Sequence, residues 1–414
     1  MIDCAMHGRD GSKYTLQYDP RKNILSRDGE PFSSDTKCMT SPRKFLAVRL
    51  SVGMKCNFRC RYCLVEAMKT ESDPEAKALS PAVLAREIVR FAGGREIDSV
   101  QFWGGEPLLP ENFERIKALH TALVSAGKTS ADFFLSTNGS LLYGDRLDWL
   151  LENNIAVAIS WDGPGQHLRG PDILRDDRVM QSVQTFLRSA PDRLTFNPVM
   201  TSENRSYGDY VKALEDSLGQ KDFRLSEAKL STIGDDAAWD CRVPEDALPS
   251  YSSEYYQFLL QDKGKHLGVH YVDATGFVCG LGVISEGVRC FATDPGALTL
   301  DMAGNILTCQ NFTADAVDSR GERHCLGSVL DLPSGADAPM PELIRWRERR
   351  ESCKDCVVRF ICRGGCPYTD EKYRKYNCLA GYYQSLPVFA LALHIITGDL
   401  LVEITPGHSG GQHA

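Results

Sequence analysis

From Phe45 to Leu230 the sequence alternates between short β-type runs and helical patterns, and this alternation limits the chain to few folds. The β-type runs are Phe45 to Val52, Ser99 to Trp103, Asp132 to Ser136, Ala156 to Trp161, Leu194 to Met200 and Phe223 to Leu230. Helical patterns lie between them, near Pro81 to Phe91, Glu111 to Ala126, Tyr143 to Glu152, Arg178 to Ser189 and Tyr207 to Ser217, several opened by Ser, Asp or Pro. Strand and helix in alternation predict βαβ units on a parallel sheet. Barrels of such units carry their chemistry at the carboxyl ends of the strands, so the residues just after each run are the candidates for function.

After the first run come Cys56, Asn57, Phe58, Arg59, Cys60, Arg61, Tyr62 and Cys63, which place three thiols within eight residues. A zinc site usually takes four ligands in two close pairs, and no second pair falls nearby, so a zinc loop is the lesser alternative. A four-iron cubane held by three Cys keeps one iron open to a small molecule. After the second run come Gly104, Gly105, Glu106 and Pro107. Two glycines permit close backbone approach, and a carboxylate there can pair with an ammonium group.

The CxxxCxxC spacing, the aromatic before its last Cys and the Gly-Gly-Glu-Pro one strand later resemble the radical S-adenosylmethionine (SAM) superfamily. The resemblance implies an α/β fold, a partial (β/α)6 TIM-like barrel followed by a Cys-rich iron-sulfur SPASM domain. It implies that Cys56, Cys60 and Cys63 hold a [4Fe-4S] cluster and that Gly104, Gly105 and Glu106 receive the SAM amino group. Tyr62 stands where the family has an aromatic near the adenine; an ordinary packing tyrosine is the alternative. Asn138, after the third run, and Ser160, after the fourth, match segments that reach the SAM ribose and carboxylate. Asn138-Gly139 and Asp162-Gly163 also suit plain turns. Arg169 reads as a solvated surface arginine, with the SAM carboxylate as its other use.

A second group of cysteines follows. Cys290, Gly304 and Cys309 are spaced C-x13-G-x4-C, and Cys353, Cys356, Cys362, Cys366 and Cys378 are spaced C-x2-C-x5-C-x3-C-x11-C. A zinc ribbon would account for Cys353 and Cys356 alone. The whole series resembles the SPASM extension, which implies two auxiliary clusters, for three [4Fe-4S] clusters in all. Family topology interleaves the ligands: Cys366 joins Cys290 and Cys309, while Cys353, Cys356, Cys362 and Cys378 close the other cluster. Cys279 is the expected fourth ligand of the first auxiliary cluster, an open site being the alternative. Cys4, Cys38, Cys241 and Cys325 fit no pattern and are expected to be free thiols. Ala297 to Thr308, with a turn at Ala303-Gly304-Asn305, reads as a hairpin holding the two Cys of the first pair, Cys290 and Cys309.

The chain of 414 residues suggests two or three units. The expected division is an extension at 1–44 with a strand or two, the barrel at 45–231, a bridge at 232–270 with a helix at Leu248 to Leu260, the SPASM region at 271–385, and a helix and flexible tail at 386–414. A net charge of -8 gives no basic footprint, so nucleic acid is not an expected partner. The amino terminus lacks a signal-peptide pattern, and Leu386 to Ile396 is too short to span a bilayer, which points to the cytoplasm and no membrane. Fifteen cysteines in a reducing compartment favour metal ligation over disulfides.

By resemblance, the substrate is a ribosomally made precursor peptide. A 5'-deoxyadenosyl radical abstracts a hydrogen atom and an oxidative intramolecular crosslink follows, a carbon-carbon cyclophane or a thioether. A flavodoxin- or ferredoxin-type protein would donate electrons. About 44 residues before the barrel are too few for an independent leader-binding domain, so a separate leader-binding protein or another surface is expected. In the related sulfatase (formylglycine) maturases an Asp follows the second Cys of the first SPASM pair. Here Gln310 follows Cys309, and an amide cannot accept a proton; Asp315, six residues past Cys309, would serve if the loop folds back. That activity, a small-molecule or redox-cofactor-forming enzyme, and a noncatalytic electron carrier are the alternatives.

Overall fold

A computed structural model describes residues 1–32, 45–68, 77–127, 131–226, 229–230, 236–284, 290, 292, 294–317, 321–337, 339, 351–366, 368 and 370–406. Its central sheet begins with β5 (Phe45–Ser51), where Leu46, Val48 and Leu50 are fully buried. Ala47 and Arg49 alternate with them and face the other side, as the period of two requires. β6 (Glu96–Trp103), β7 (Asp132–Thr137), β8 (Ala156–Ile159) and β9 (Leu194–Phe196) follow in parallel register, and β11 (Arg224–Leu225) closes that edge.

The crossovers are α2 (Pro81–Ala92), α3 (Pro110–Ser125), α4 (Asp145–Glu152), α5 (Asp177–Ser189) and α6 (Tyr207–Leu218). Their starts follow capping rules: Ser80, Asp176 and Ser206 accept from Val83, Arg178 and Asp209 amides, and Pro81 stands in the first turn of α2. This is the partial six-stranded α/β barrel expected from the alternation.

Two expected strands are broken. Leu194 to Met200 divides into β9 and β10 (Val199–Met200), because Pro198 has no amide hydrogen for a ladder. Phe223 to Leu230 divides into β11 and β12 (Lys229–Leu230), and β10 pairs with β12 as a separate parallel pair. On the other side of β5 the sheet continues. β13 (Ala297–Asp301) runs parallel to β5, and its hairpin partner β14 (Asn305–Leu307) and β15 (Cys325–Ser328) extend the sheet outward. The expected hairpin is therefore joined to the barrel strand that precedes the first cysteine loop.

The ends of the chain depart most from expectation. The first 32 residues form four strands, β1 (Ile2–His7), β2 (Lys13–Asp19), β3 (Ile24–Arg27) and β4 (Glu30–Pro31). Between the helix and the expected tail of Pro406 to Ala414 the chain forms β16 (Leu400–Pro406), paired antiparallel with β1. This strand was hidden because its partner lies nearly the whole sequence away. Residues 33–44, with Cys38, and 407–414 lie outside the described residues. α11 (Glu371–Thr397) starts well before Leu386 and runs through the expected boundary at 385. Its first half is polar in composition, yet it buries Tyr373 and Tyr376.

Among the described residues α11 is the one helix long and apolar enough to cross a membrane. It packs on α7 (Leu248–Asp262) and α8 (Gly268–Cys279), with Phe389, Leu391, Ala392 and Leu393 fully buried, as a core helix does. Tyr18 of β2 ties the terminal sheet to this layer through Phe277 and Phe389, with ring centroids 5.8 and 5.4 Å away.

Deleting Leu400 to Pro406 uncovers the edge of β1. The thermal midpoint is expected to fall by about 5 °C or more and the protein to aggregate more readily, read by calorimetry and light scattering.

Candidate active site

The residues after β5 and after β6 are pressed together by backbone. The Gly105 amide donates to the Gly53 carbonyl at 2.9 Å, and the Glu106 amide donates to the Lys55 carbonyl at 2.8 Å. A Cβ on Gly104 would run into the Gly53 carbonyl, and one on Gly105 into that of Lys55. Gly104 also has a φ of 147°, at the edge of the region that favours glycine. The glycines are thus required for contact with the segment leading into Cys56.

Glu106 is fully buried. Its carboxylate accepts from the Leu108 amide at 2.8 Å, the Thr137 hydroxyl at 2.6 Å and the Asn138 amide at 2.8 Å. Burial pushes its pKa up and these three hydrogen bonds oppose the rise. Oε2 has one of these partners, and a carboxylate oxygen accepts two, so capacity remains for one more donor. Asn138 closes the circle: its side-chain nitrogen donates to Asn57 Oδ1 at 2.8 Å and lies 3.9 Å from Cys56 Sγ. Ser160 is tied by its amide to the Thr137 carbonyl at 2.8 Å, while its hydroxyl takes no partner among the described residues.

The sequence reading missed the role of Asp162. It is fully buried and does more than make a plain turn: it accepts from the Tyr62 hydroxyl, from Arg169 Nη2 at 3.1 Å and from the Val199 amide at 2.9 Å. Arg169 is 9% exposed, so it is not the solvated arginine expected. Burial works against the Arg169 charge, and Asp162, Tyr62 and Cys60 together outweigh it and hold the guanidinium protonated. The signal available in the sequence was spacing: Asp162 and Arg169 stand seven residues apart around a Gly-Pro-Gly turn at the end of a strand. The Arg61 amide adds a further tie, donating to the Leu168 carbonyl at 2.9 Å.

Cys56, Cys60 and Cys63 therefore sit on a loop held from three sides. Their thiols feel one another, and burial pushes Cys60 up to about 12. The Phe58 amide faces Cys56 Sγ at 3.4 Å and the Glu66 amide faces Cys63 Sγ at 3.4 Å, donors of the kind that support iron-bound sulfur.

The remaining thiols fall into two sets. Cys290, Cys309 and Cys366 pack around Ala292, Phe312, Ala316 and Tyr368. Cys309 is pushed up to about 12, first by burial and then by Cys366 and Cys290. Cys356 is likewise pushed up to about 12, by burial and then by Cys362, Cys353 and Cys378. Cys366 thus groups with Cys290 and Cys309 although four of its sequence neighbours form the other set. Cys279 ends α8, which packs on α10 (Arg359–Cys362). Residues 285–289, between Cys279 and Cys290, lie outside the described residues. Among the rest, Cys4 and Cys241 are buried and Cys325 is partly exposed.

Among the described residues no three His, Cys, Asp or Glu side chains close on a point that could hold one ion. Thiols in sets of three and four, all partly buried except the exposed Cys378, with amide donors to Cys56 and Cys63, fit iron-sulfur clusters; iron would supply the positive charge that lets such thiols ionise.

The model of the radical SAM superfamily matches residues 50–212. A serine-type anaerobic sulfatase-maturating enzyme of Bacteroides thetaiotaomicron is 23% identical over 91% of this chain and 95% of its own. The radical SAM cyclopropyl synthase TigE of Paramaledivibacter caminithermalis is 25% identical over 39% of this chain, which spans 36% of that protein. The solved structure of native anSMEcpe with bound AdoMet shares the fold, with a TM-score of 0.61 and 17% identity over 84% of this chain and all of that one. The same protein with AdoMet and Cp18Cys peptide gives a TM-score of 0.60 at 17% identity, covering 85% of this chain and 99% of that one.

Two substitutions test the geometry. Gly105→Ala forces the two loops apart, so iron analysis after anaerobic reconstitution should show a loss of about four irons per chain. Asp162→Asn leaves buried Arg169 without its counter-charge and should cost roughly 3–5 kcal/mol in denaturant unfolding; an unchanged midpoint would contradict the pairing.

Proposed function

With residues 50–212 matching the radical SAM superfamily, we propose that the chain is a peptide maturase that installs an oxidative intramolecular crosslink in a ribosomally made precursor. The observation that carries this reading is the division of ten cysteines into one set of three at the mouth of the barrel and two further sets beside it. Cys56, Cys60 and Cys63 would hold the cluster that binds SAM. Glu106, with room for one more donor, would take the SAM amino group, and Asn138 and Ser160 would meet its ribose and carboxylate. Gly104 and Gly105 keep this carboxylate against the cysteine loop, and Tyr62 stands by the adenine. The cluster and SAM, when bound, supply a 5'-deoxyadenosyl radical able to abstract a hydrogen atom from an unactivated carbon.

The chain's own residues bind and orient peptide and cofactor and keep water out. Cys290, Cys309 and Cys366, with Cys279 as fourth ligand, would hold one auxiliary cluster. Cys353, Cys356, Cys362 and Cys378 would hold the other, giving the electron lost by the substrate somewhere to go. In this reading the barrel spans 45–231, the bridge 232–270 and the auxiliary-cluster region begins at 271. The partners are the precursor peptide, a separate leader-binding protein and a flavodoxin- or ferredoxin-type donor, in the cytoplasm.

A second reading, formylglycine formation in a sulfatase, is favoured by likeness along almost the whole chain to the serine-type maturating enzyme. Against it, Gln310 follows Cys309, with its amide oxygen 3.6 Å from Cys309 Sγ, and an amide does not serve as a base.

Anaerobically reconstituted protein is incubated with SAM, a reductant and the short peptide encoded nearest its gene. The expected result is 5'-deoxyadenosine together with a peptide lighter by two hydrogens per modification, resistant to fragmentation within a ring. A hydrazide-reactive aldehyde in place of a ring supports the second reading, and deoxyadenosine with unaltered peptide contradicts this choice of substrate.

A further inference from the structure

Arg49 occupies the middle of β5 on the face away from Leu46, Val48 and Leu50. Its register partners are Gln101 on β6 and Thr299 on β13, so it stands between the barrel and the strand that leads into the Cys309 hairpin. Its Nη2 donates to Gln101 Oε1, whose amide nitrogen in turn donates to Ser136 Oγ at 3.4 Å on β7. The guanidinium carbon lies 5.6 Å from the Trp103 ring centroid. This polar row crosses three strands inside the barrel and fixes where the cation sits. Burial pulls Arg49 down to about 10, while the sulfurs of Cys309 and Cys290 act in the opposite sense and favour its charge. A positive charge set beside these sulfurs acts on whatever negative charge they come to carry, and a thiolate-ligated cluster is such a charge.

We infer that Arg49 is a positioning cation that raises the reduction potential of an iron-sulfur cluster held by Cys290, Cys309 and Cys366. The inference rests on the reading of those thiols as cluster ligands. A nearby positive charge stabilises the reduced, more negative cluster. Arg49 thereby makes the cluster on the β13 side of the barrel the better acceptor for an electron leaving the substrate; Cys309 and Cys290, and not the set around Cys356, are the thiols that act on its charge. The same strand ends at the Cys56 loop, so β5 relates the site of radical formation to the acceptor.

The test is a potentiometric titration followed by electron paramagnetic resonance on the reconstituted full chain, with Cys290→Ala identifying the signal of this cluster. Arg49→Met should move its midpoint to lower potential and leave the cluster of Cys353, Cys356, Cys362 and Cys378 unshifted. Arg49→Lys should keep most of the wild-type value, and Gln101→Leu, which frees the guanidinium without removing its charge, should give a smaller negative shift. An unshifted midpoint in Arg49→Met overturns the inference. So does loss of the cluster in Arg49→Met and Arg49→Lys alike, which makes Arg49 a structural residue. If iron content and spectra of the wild type and Cys290→Ala coincide, the cluster assignment fails first, and the inference with it.

Discussion

Two backbone hydrogen bonds, from Gly105 to Gly53 and from Glu106 to Lys55, are the contact on which the rest of the site depends. They place the loops after two neighbouring parallel strands edge to edge, at a spacing that only glycine allows. From there the order spreads through one buried carboxylate. Glu106 reaches Thr137 and Asn138 at the end of the next strand, and Asn138 returns to Asn57 beside Cys56. Three strand ends are thereby locked around the thiols without contribution from side chains on the solvent face.

A second buried carboxylate completes the enclosure from the opposite side. Asp162 gathers Tyr62 from the cysteine loop, Arg169 from the turn after β8 and the Val199 amide from beyond the break in the fifth strand. The break at Pro198 that spoils the ladder frees that amide to serve here. The two carboxylates differ in what answers them: Glu106 has hydrogen-bond donors of the main chain and a hydroxyl, whereas Asp162 faces a full positive charge. The first can still accept an ammonium group, and the second is committed to holding the loop.

Strand and helix periodicity made the barrel legible, since each buried strand needed an apolar face and each helix a capped start. The grouping of the thiols, including the return of Cys366 to Cys290 and Cys309, was an implication of the SPASM resemblance and not of spacing; in the folded chain these three pack around Phe312 and Tyr368. The sequence was silent where the determining partner is remote. β16 is a strand because β1 offers it an edge, and Asp162 looks like any Asp-Gly turn until Arg169 and Tyr62 are folded against it. The first half of α11 reads as polar because its tyrosines are buried by α7 and by the segment around Trp239, neither of which is near in sequence. Arg49 is legible only once β13 has been added beside β5.

The central claim is that the loop of Cys56, Cys60 and Cys63 holds a four-iron cluster with one iron left for SAM. Mössbauer spectroscopy of protein reconstituted with iron-57, recorded before and after SAM is added, addresses it directly. The account predicts that a single iron of about twelve changes its isomer shift and quadrupole splitting towards a more highly coordinated site, the others staying as they were. A spectrum indifferent to SAM, with every iron in sulfur-only coordination, would contradict it.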